Sequence, residues 1–325
     1  MRKFAPVALF FFSALRLPAQ ALPPPPPPPP KDLTLPWAFQ VNPANIAKDV
    51  PKEKDNGMPR HIPGSSQAFT LNQIIDPYNQ PDWFPGEHPA WPTVVQYGRK
   101  DLVVMACNFC HTQQGHPESA DLAGLPAGYL IRAMAEFKSN EREGNIMNFF
   151  AQKLPEQDVK EAAEYYAALK PRAGYYKVVE TTMVPQTYVD SEFMRFPRPG
   201  GAMEPLGKRI IMVPQDVERV ESWDPNSGFI AYVPPGSVKK GKTLVETGGA
   251  GKTVACATCH DDGLRGMGQV PRLAGLDPIH VVRQLYRYQD GRNRGAWSPL
   301  MKKAVAKLTD EDILNIAAYV GSLTP

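Results

Sequence analysis

All four cysteines of the chain lie in two C-x-x-C-H motifs, and each motif ends in a histidine. The motif residues are Cys107, Cys110 and His111 in the first copy and Cys256, Cys259 and His260 in the second. Two thiols at this spacing lie on one helical turn, where they can form thioethers with the two vinyl groups of a protoporphyrin. The adjacent imidazole then faces the iron from the same side. The sequence therefore predicts two covalently bound haem c groups, each with its motif histidine on the iron.

Paired cysteines also serve two other chemistries. A thioredoxin-like redox pair follows a strand and has no need of the histidine. A structural zinc site brings four ligands together, whereas these two pairs lie far apart in the chain and each has its own histidine. Haem attachment accounts for every cysteine of the chain, so it is the favoured interpretation.

The stretch that follows each motif is repeated. Residues 122–125 and 273–276 both read Leu-Ala-Gly-Leu, and a constant offset then relates Met147 to Met301 and many later positions. Such an offset indicates a duplicated unit. Each copy is predicted to end in a helix with an apolar stripe, and in the second copy Thr309 and Asp312 match a capping box. The stripe of the second copy consists of Ile313, Ile316, Ala317, Val320 and Leu323.

This pattern resembles the class I c-type cytochrome domain, and the tandem arrangement resembles the two-haem cytochromes of bacterial periplasms. The resemblance implies a mainly α fold of two class I cytochrome c helical domains in tandem. In that family a methionine from a loop before the last helix binds the iron opposite the motif histidine. The resemblance therefore pairs His111 with Met147 and His260 with Met301 as metal ligands.

Other methionines and histidines are interpreted as structural. Met134 falls on a predicted middle helix and is assigned to the core, and Met267 follows its motif too closely to reach the opposite face of the same haem. Met105 directly precedes the first motif and is expected to point elsewhere. His116 and His280 have no histidine counterpart in the other copy, so both are expected to be surface or loop residues.

Five segments follow from this reading. Residues 1–21 are a predicted signal peptide, 22–90 a Pro-rich spacer and irregular extension, 91–171 the first cytochrome c domain, 172–232 a connecting segment and 233–325 the second domain. The connecting segment contains short β-like runs between proline turns, at residues 175–180 and 210–214, with another at its boundary, residues 229–233. The spacer begins with eight consecutive prolines, which form a stiff polyproline II rod.

The N-terminus has the charged start, short apolar run and small-x-small site of a secretory signal, so a periplasmic or otherwise exported protein is expected. No other stretch is long and apolar enough for a membrane span. The formal net charge is +3, and removal of the signal takes three basic residues and no acid, which leaves the mature chain near neutral. The composition therefore gives no argument for binding nucleic acid or an anionic membrane.

An iron with six ligands can only pass single electrons, because no position is open to substrate. The leading hypothesis is a periplasmic electron carrier between a dehydrogenase or quinol-oxidising complex and an acceptor oxidase or cytochrome. The alternatives are a two-haem peroxidase or other haem oxidoreductase with one labile iron site, and a cytochrome subunit of a dehydrogenase complex. A basic rim on the second domain predicts an acidic partner, and it consists of Lys239, Lys240, Arg292, Arg294, Lys302 and Lys303.

Overall fold

The protein is described from a computed structural model. The described residues are 35–39, 46–50, 52–111, 119–144, 146–191 and 193–325. The predicted signal peptide, the run of prolines and His116 lie outside these ranges. Within the described ranges, no helix combines the length and the apolar character that a bilayer crossing requires.

An extension of mostly irregular backbone precedes the first motif. It contains two short helices, α1 (Leu71–Ile74) and α2 (Thr93–Gln96), and a 3-10 turn at Lys100–Leu102. The indole Nε1 of Trp83 donates to the carbonyl oxygen of Ser222 at 2.9 Å, and the backbone N–H of Ala106 donates to the carbonyl oxygen of Pro77 at 2.8 Å. The extension therefore packs on the segment just before the first motif and on the connecting segment.

The first helical unit consists of α3 (Cys107–Cys110), α4 (Ala127–Lys138), α5 (Ile146–Lys153) and α6 (Glu156–Ala168). Their apolar faces meet in one core, in which Leu130, Phe150 and Tyr166 are buried. The hydroxyl of Tyr166 donates to Oδ1 of buried Asn108 at 2.9 Å, so both polar groups are satisfied within the core. This bond also anchors α3 to the last helix of the unit.

Where the structure describes it, the connecting segment forms seven strands and one helix: β1 (Tyr176–Glu180), β2 (Met183–Pro185), β3 (Thr187–Val189), β4 (Arg195–Pro197), β5 (Met203–Pro205), β6 (Ile211–Pro214), α7 (Val217–Glu221) and β7 (Phe229–Val233). Strand β7 lies at the centre of a three-stranded sheet, parallel to β1 and antiparallel to β6. The other strands form the pairs β2–β5 and β3–β4. The predicted β-like runs are confirmed as strands β1, β6 and β7.

The second helical unit consists of α8 (Ser237–Thr247), α9 (Ala257–His260), a 3-10 turn at Asp262–Leu264, α10 (Pro278–Gln289), α11 (Ser298–Val305) and α12 (Asp310–Ser322). The predicted capping box of Thr309 and Asp312 is present at the start of α12. Helix α8 crosses α12 closely at Gly241, where an added Cβ would lie 1.9 Å from the carbonyl oxygen of Asn315. Only glycine allows this approach.

The duplication is visible in the backbone. The N–H of Gly124 donates to the carbonyl oxygen of Tyr166, and the N–H of Gly275 donates to that of Val320, both at 2.9 Å. Both glycines have a positive φ, 69° and 68°, which few other residues adopt without strain. The repeated Leu-Ala-Gly-Leu turn therefore docks on the last helix of its own unit in the same way twice.

Candidate functional site

His260 is oriented by a backbone carbonyl. Its Nδ1 lies 2.8 Å from the carbonyl oxygen of Pro271, and the residue is 7% exposed. A carbonyl only accepts, so Nδ1 carries the hydrogen and the lone pair of Nε2 stays available for a metal. Burial lowers the pKa of His260 against the opposing effect of the Pro271 hydrogen bond. The ring is therefore neutral at neutral pH, as a metal ligand must be.

His111 repeats this arrangement in the first unit. Its Nδ1 donates to the carbonyl oxygen of Ala120 at 2.9 Å, and burial lowers its pKa as well. Ala120 and Pro271 occupy equivalent positions, each two residues before the first leucine of its repeated turn. A hydrogen bond from the second ring nitrogen of a metal-binding histidine fixes the ring and strengthens it as a ligand. The two motif histidines therefore have the same geometry for holding an iron.

No disulfide joins the four cysteines, all of which lie among the described residues. Burial raises the pKa of Cys107 to about 12 and that of Cys256 to about 11. A redox-active pair depends on a lowered thiol pKa. These raised values disfavour the redox-pair alternative and suit thiols that end as neutral thioethers.

The two predicted methionine ligands lie in helices. The expectation that they lie in loops is therefore wrong. Met147 is the second residue of α5, and Met301 is the fourth residue of α11. The side-chain amide of Asn148 organises the turn before α5, because it accepts from the N–H of Gly144 at 2.8 Å and donates to the carbonyl of Arg142 at 2.8 Å. A proline in the first turn favours helix at α11.

Each methionine belongs to the unit of its predicted histidine. Met147 is half-buried against the core that also contacts Cys107, and Met301 is half-buried against the core that also contacts Cys256. Met134 packs against the first core, which agrees with its assignment as a core residue. The ligand roles of Met147 and Met301 stay predictions.

The placement of His280 on the surface or in a loop is wrong. It lies in the first turn of α10, is half-buried, and its N–H donates to Oδ1 of buried Asp277 at 3.2 Å. Burial first, and then the nearby cations Arg283 and Arg287, keep the pKa of His280 well below its ordinary value. Asp277, which caps this first turn of α10, is itself fully buried, so the turn lies inside the protein.

A group of largely buried arginines belongs to the two units, and no motif in the sequence indicates it. Its members are Arg142, Arg283, Arg287 and Arg292, of which the first two are buried and the side chains of the last two are 12% and 13% exposed. Burial and Arg283 lower the pKa of Arg287 to about 10, and its buried Nε has no hydrogen-bond partner within the described residues. The Nε of Arg287 could donate to a further anion, and the propionate carboxylates of a haem are such anions. The described residues therefore fit the expected cofactor.

Contacts between the units are numerous, and some involve the predicted basic rim. Arg292 Nη1 lies 2.9 Å from Oε1 of Glu143, and the backbone N–H of Arg294 donates to the carbonyl oxygen of Glu141 at 2.6 Å. Both arginines contact the first unit. The assignment of Arg292 to an exposed rim is wrong, because its side chain is 13% exposed, whereas Arg294 is exposed as predicted. A count of basic residues in a segment does not reveal which face they occupy. Lys302 and Lys303 are exposed on α11, as the rim required.

The comparisons with known proteins agree with this site. The cytochrome c family profile matches residues 238–324. Cytochrome c-554(548) of Halomonas halodenitrificans is 33% identical over 75 residues, which are 23% of this chain and 90% of that protein. Cytochrome c4 of Pseudomonas aeruginosa is 23% identical over 224 residues, which are 67% of this chain and 83% of that protein.

A similarity to a larger solved structure is more limited. A thiosulfate dehydrogenase from Marichromatium purpuratum has 24% sequence identity and a TM-score of 0.48, with 70% of this chain covered. This chain spans only 38% of that chain.

Proposed function

The chain belongs to the cytochrome c family as a tandem class I c-type cytochrome, and on this premise we propose that it is a dihaem carrier of single electrons. The observation that carries this proposal is the repeated arrangement of a buried, neutral imidazole whose Nδ1 is held by a carbonyl, at His111 and again at His260. A covalently bound haem c supplies reversible one-electron chemistry at its iron.

The residues of the chain take distinct roles in this proposal. Cys107 and Cys110 attach one haem, and Cys256 and Cys259 attach the other. His111 and His260 present Nε2 to the irons, and Met147 and Met301 complete the coordination. A methionine ligand raises the reduction potential, and an apolar surrounding raises it further because it disfavours the extra charge of ferric iron. The buried arginine cluster holds the propionates.

We expect the second unit to exchange electrons with external proteins, because its attachment helix is open. Ala257, Thr258 and Cys259 of α9 are exposed, whereas the equivalent stretch of α3 is covered. There, Asn108 is 4% exposed and the ring of Phe109 packs against Trp223 with ring centroids 4.8 Å apart. The extension and the connecting segment thus cover the attachment helix of the first unit, whereas the attachment helix of the second unit is accessible.

An acidic redox protein fits the exposed face of α11 in the same unit. Leu300 is 71% exposed on α11, and the exposed Lys302 and Lys303 follow it directly. An apolar centre with neighbouring positive charge suits a transient electron-transfer contact whose rate depends on electrostatic steering. The donor in this proposal is a dehydrogenase or quinol-oxidising complex, the acceptor is an oxidase or another cytochrome, and the compartment is the periplasm.

Ferricyanide tests the charge of this side, because it is a small anionic oxidant. We expect the oxidation rate of the reduced protein to fall with rising ionic strength, and to fall at low salt in the double variant Lys302→Ala/Lys303→Ala. The matched control is Lys160→Ala/Lys170→Ala, which removes the same charge from exposed lysines of the first unit. Equal effects of the two double variants would refute an exchange site on the second unit.

Carbon monoxide tests the carrier function itself, because it binds only to an iron with an open or labile position. We expect carbon monoxide to leave the visible absorption spectrum of the fully reduced wild-type protein unchanged. We also expect this protein to show no peroxidase turnover. Carbon monoxide binding by the untreated protein would refute the carrier and favour the two-haem peroxidase. Stable copurification with a dehydrogenase would favour the alternative of a subunit in a larger complex.

A further inference from the structure

Asp121 and Arg272 form a buried ion pair between the two units. Oδ2 of Asp121 lies 2.5 Å from Nη2 of Arg272, and the two side chains are 0% and 5% exposed. The guanidinium of Arg272 also donates to the carbonyl oxygen of Ala274 at 2.7 Å and to that of Ala123 at 3.2 Å. The pair therefore lies at the junction of the units, with its hydrogen bonds divided between them.

The two partners occupy equivalent positions in the repeat. Asp121 directly precedes the Leu-Ala-Gly-Leu turn of the first unit, and Arg272 directly precedes that of the second. Ala123 and Ala274, whose carbonyls both accept from Arg272, are equivalent as well. The duplication thus placed opposite charges at one position of the two copies, and these charges meet across the boundary.

The same position adjoins the support of both histidines. Ala120, whose carbonyl holds His111, is the residue before Asp121, and Pro271, whose carbonyl holds His260, is the residue before Arg272. A displacement of either partner moves the adjacent peptide and changes the hydrogen bond to its histidine. Within the described residues, the other ion pairs between the units join Glu143 to Arg287 and Arg292. None of these three residues adjoins a carbonyl that holds a motif histidine.

We propose that Asp121 and Arg272 are positioning residues that hold both histidine supports together and thereby couple the reduction potentials of the two sites. The inference rests on the proposed dihaem function. A stronger hydrogen bond at Nδ1 makes the imidazole a better donor to the iron and favours the oxidised state. Removing one partner leaves the other charge buried and uncompensated, so it disturbs both supports.

A direct effect of the two charges predicts a different result. A positive charge near one iron raises its reduction potential, and a negative charge lowers it, so each charge acts mainly on the nearer site. Exchange of the two charges would then shift the two potentials in opposite directions. If the pair acts by positioning, exchange of the two charges should instead restore both reduction potentials. The equivalent carbonyls of Ala123 and Ala274 can accept from an arginine on either side.

The experiment is a spectroelectrochemical titration of the holoprotein and its variants. Asp121→Asn and Arg272→Gln should each shift both reduction potentials, and the exchanged protein Asp121→Arg/Arg272→Asp should return both toward the wild-type values. Arg132→Ala is the control, because Arg132 contacts Gln269 across the boundary at 2.7 Å but does not adjoin a histidine support. It should leave both potentials unchanged.

Three results would overturn the inference: a single variant that shifts only the potential of its own unit, opposite shifts in the exchanged protein, and a shift in Arg132→Ala as large as that in Asp121→Asn. Thermal unfolding of the same samples identifies any variant that is not folded, and the conservative Asp121→Asn then carries the test. The wild-type titration separately counts the one-electron steps. Fewer than two steps would contradict the proposed function as well as this inference.

Discussion

His260 donates from Nδ1 to the carbonyl oxygen of Pro271 across 2.8 Å. This one hydrogen bond determines the tautomer of the ring and leaves Nε2 as the atom that can bind a metal. Its counterpart joins His111 to Ala120 at 2.9 Å. The two copies of the duplicated unit therefore share the hydrogen bond that prepares the imidazole to bind a metal.

Haem content follows from the cysteine pairs. The double variant Cys256→Ala/Cys259→Ala should contain one covalent haem per chain instead of two, because no thiol remains in the second unit to form a thioether. Cys107→Ala/Cys110→Ala is the matched variant for the first unit and should lose one haem in the same way. Intact protein mass reports both. An unchanged mass increment from haem in either variant would refute the assignment of that motif.

The crossing of α8 and α12 predicts an unusual response to alanine. Alanine in place of a helical glycine ordinarily stabilises a helix by about 1 kcal/mol. Gly241→Ala should instead destabilise the protein by about 1–3 kcal/mol, because the new Cβ overlaps the carbonyl of Asn315. Denaturant unfolding measures this change. Lys242→Ala is the control on the exposed face of α8, and an equal loss in that variant would show that packing at Gly241 is not the cause.

Stability should depend on pH through Asp312. Burial raises the pKa of this carboxyl, but hydrogen bonds from Lys252 and Thr309 outweigh that effect, so the pKa lies below its ordinary value of 3.8. A carboxyl with a lowered pKa stabilises the folded state above its unfolded pKa, and that contribution is lost as the pH falls through its folded pKa. Asp312→Asn should therefore cost about 1–2 kcal/mol at pH 7, and this difference should shrink below pH 3.8.

Denaturant unfolding of the wild type and Asp312→Asn at a series of pH values provides the measurement. Glu311→Gln is the control, because its ion pair with Lys240 is exposed and contributes little. A difference between wild type and Asp312→Asn that stays constant down to pH 2 would exclude the carboxyl as its source.

Local patterns in the sequence were sufficient for the motifs, the duplication and the last helix. The spacing of the cysteines and the capping box of Thr309 and Asp312 depend only on residues within one turn of helix, so the sequence reports them directly. The β-like runs of the connecting segment could also be predicted from the sequence, because strands β6 and β7 are bounded by proline turns.

Features that depend on contacts between distant residues could not be predicted. The supports of the histidines are the backbone carbonyls of Ala120 and Pro271, and a carbonyl has no sequence signature. Arg292 was assigned to a surface, although its guanidinium pairs with Glu143 of the first unit and its side chain is 13% exposed. Charge alone does not distinguish a solvated arginine from one at a boundary. The ion pair of Asp121 and Arg272 was hidden for the same reason.

The most direct test of the account is the weak iron–methionine charge-transfer band at the red end of the visible spectrum of the oxidised protein. We expect both haems of the wild type to contribute to this band. Met147→Ala and Met301→Ala should each lose the absorbance contributed by one haem, and the double variant should lose the band completely. A band that persists unchanged in either single variant, or high-spin haem in the wild type, would contradict the assignment of two six-coordinate irons.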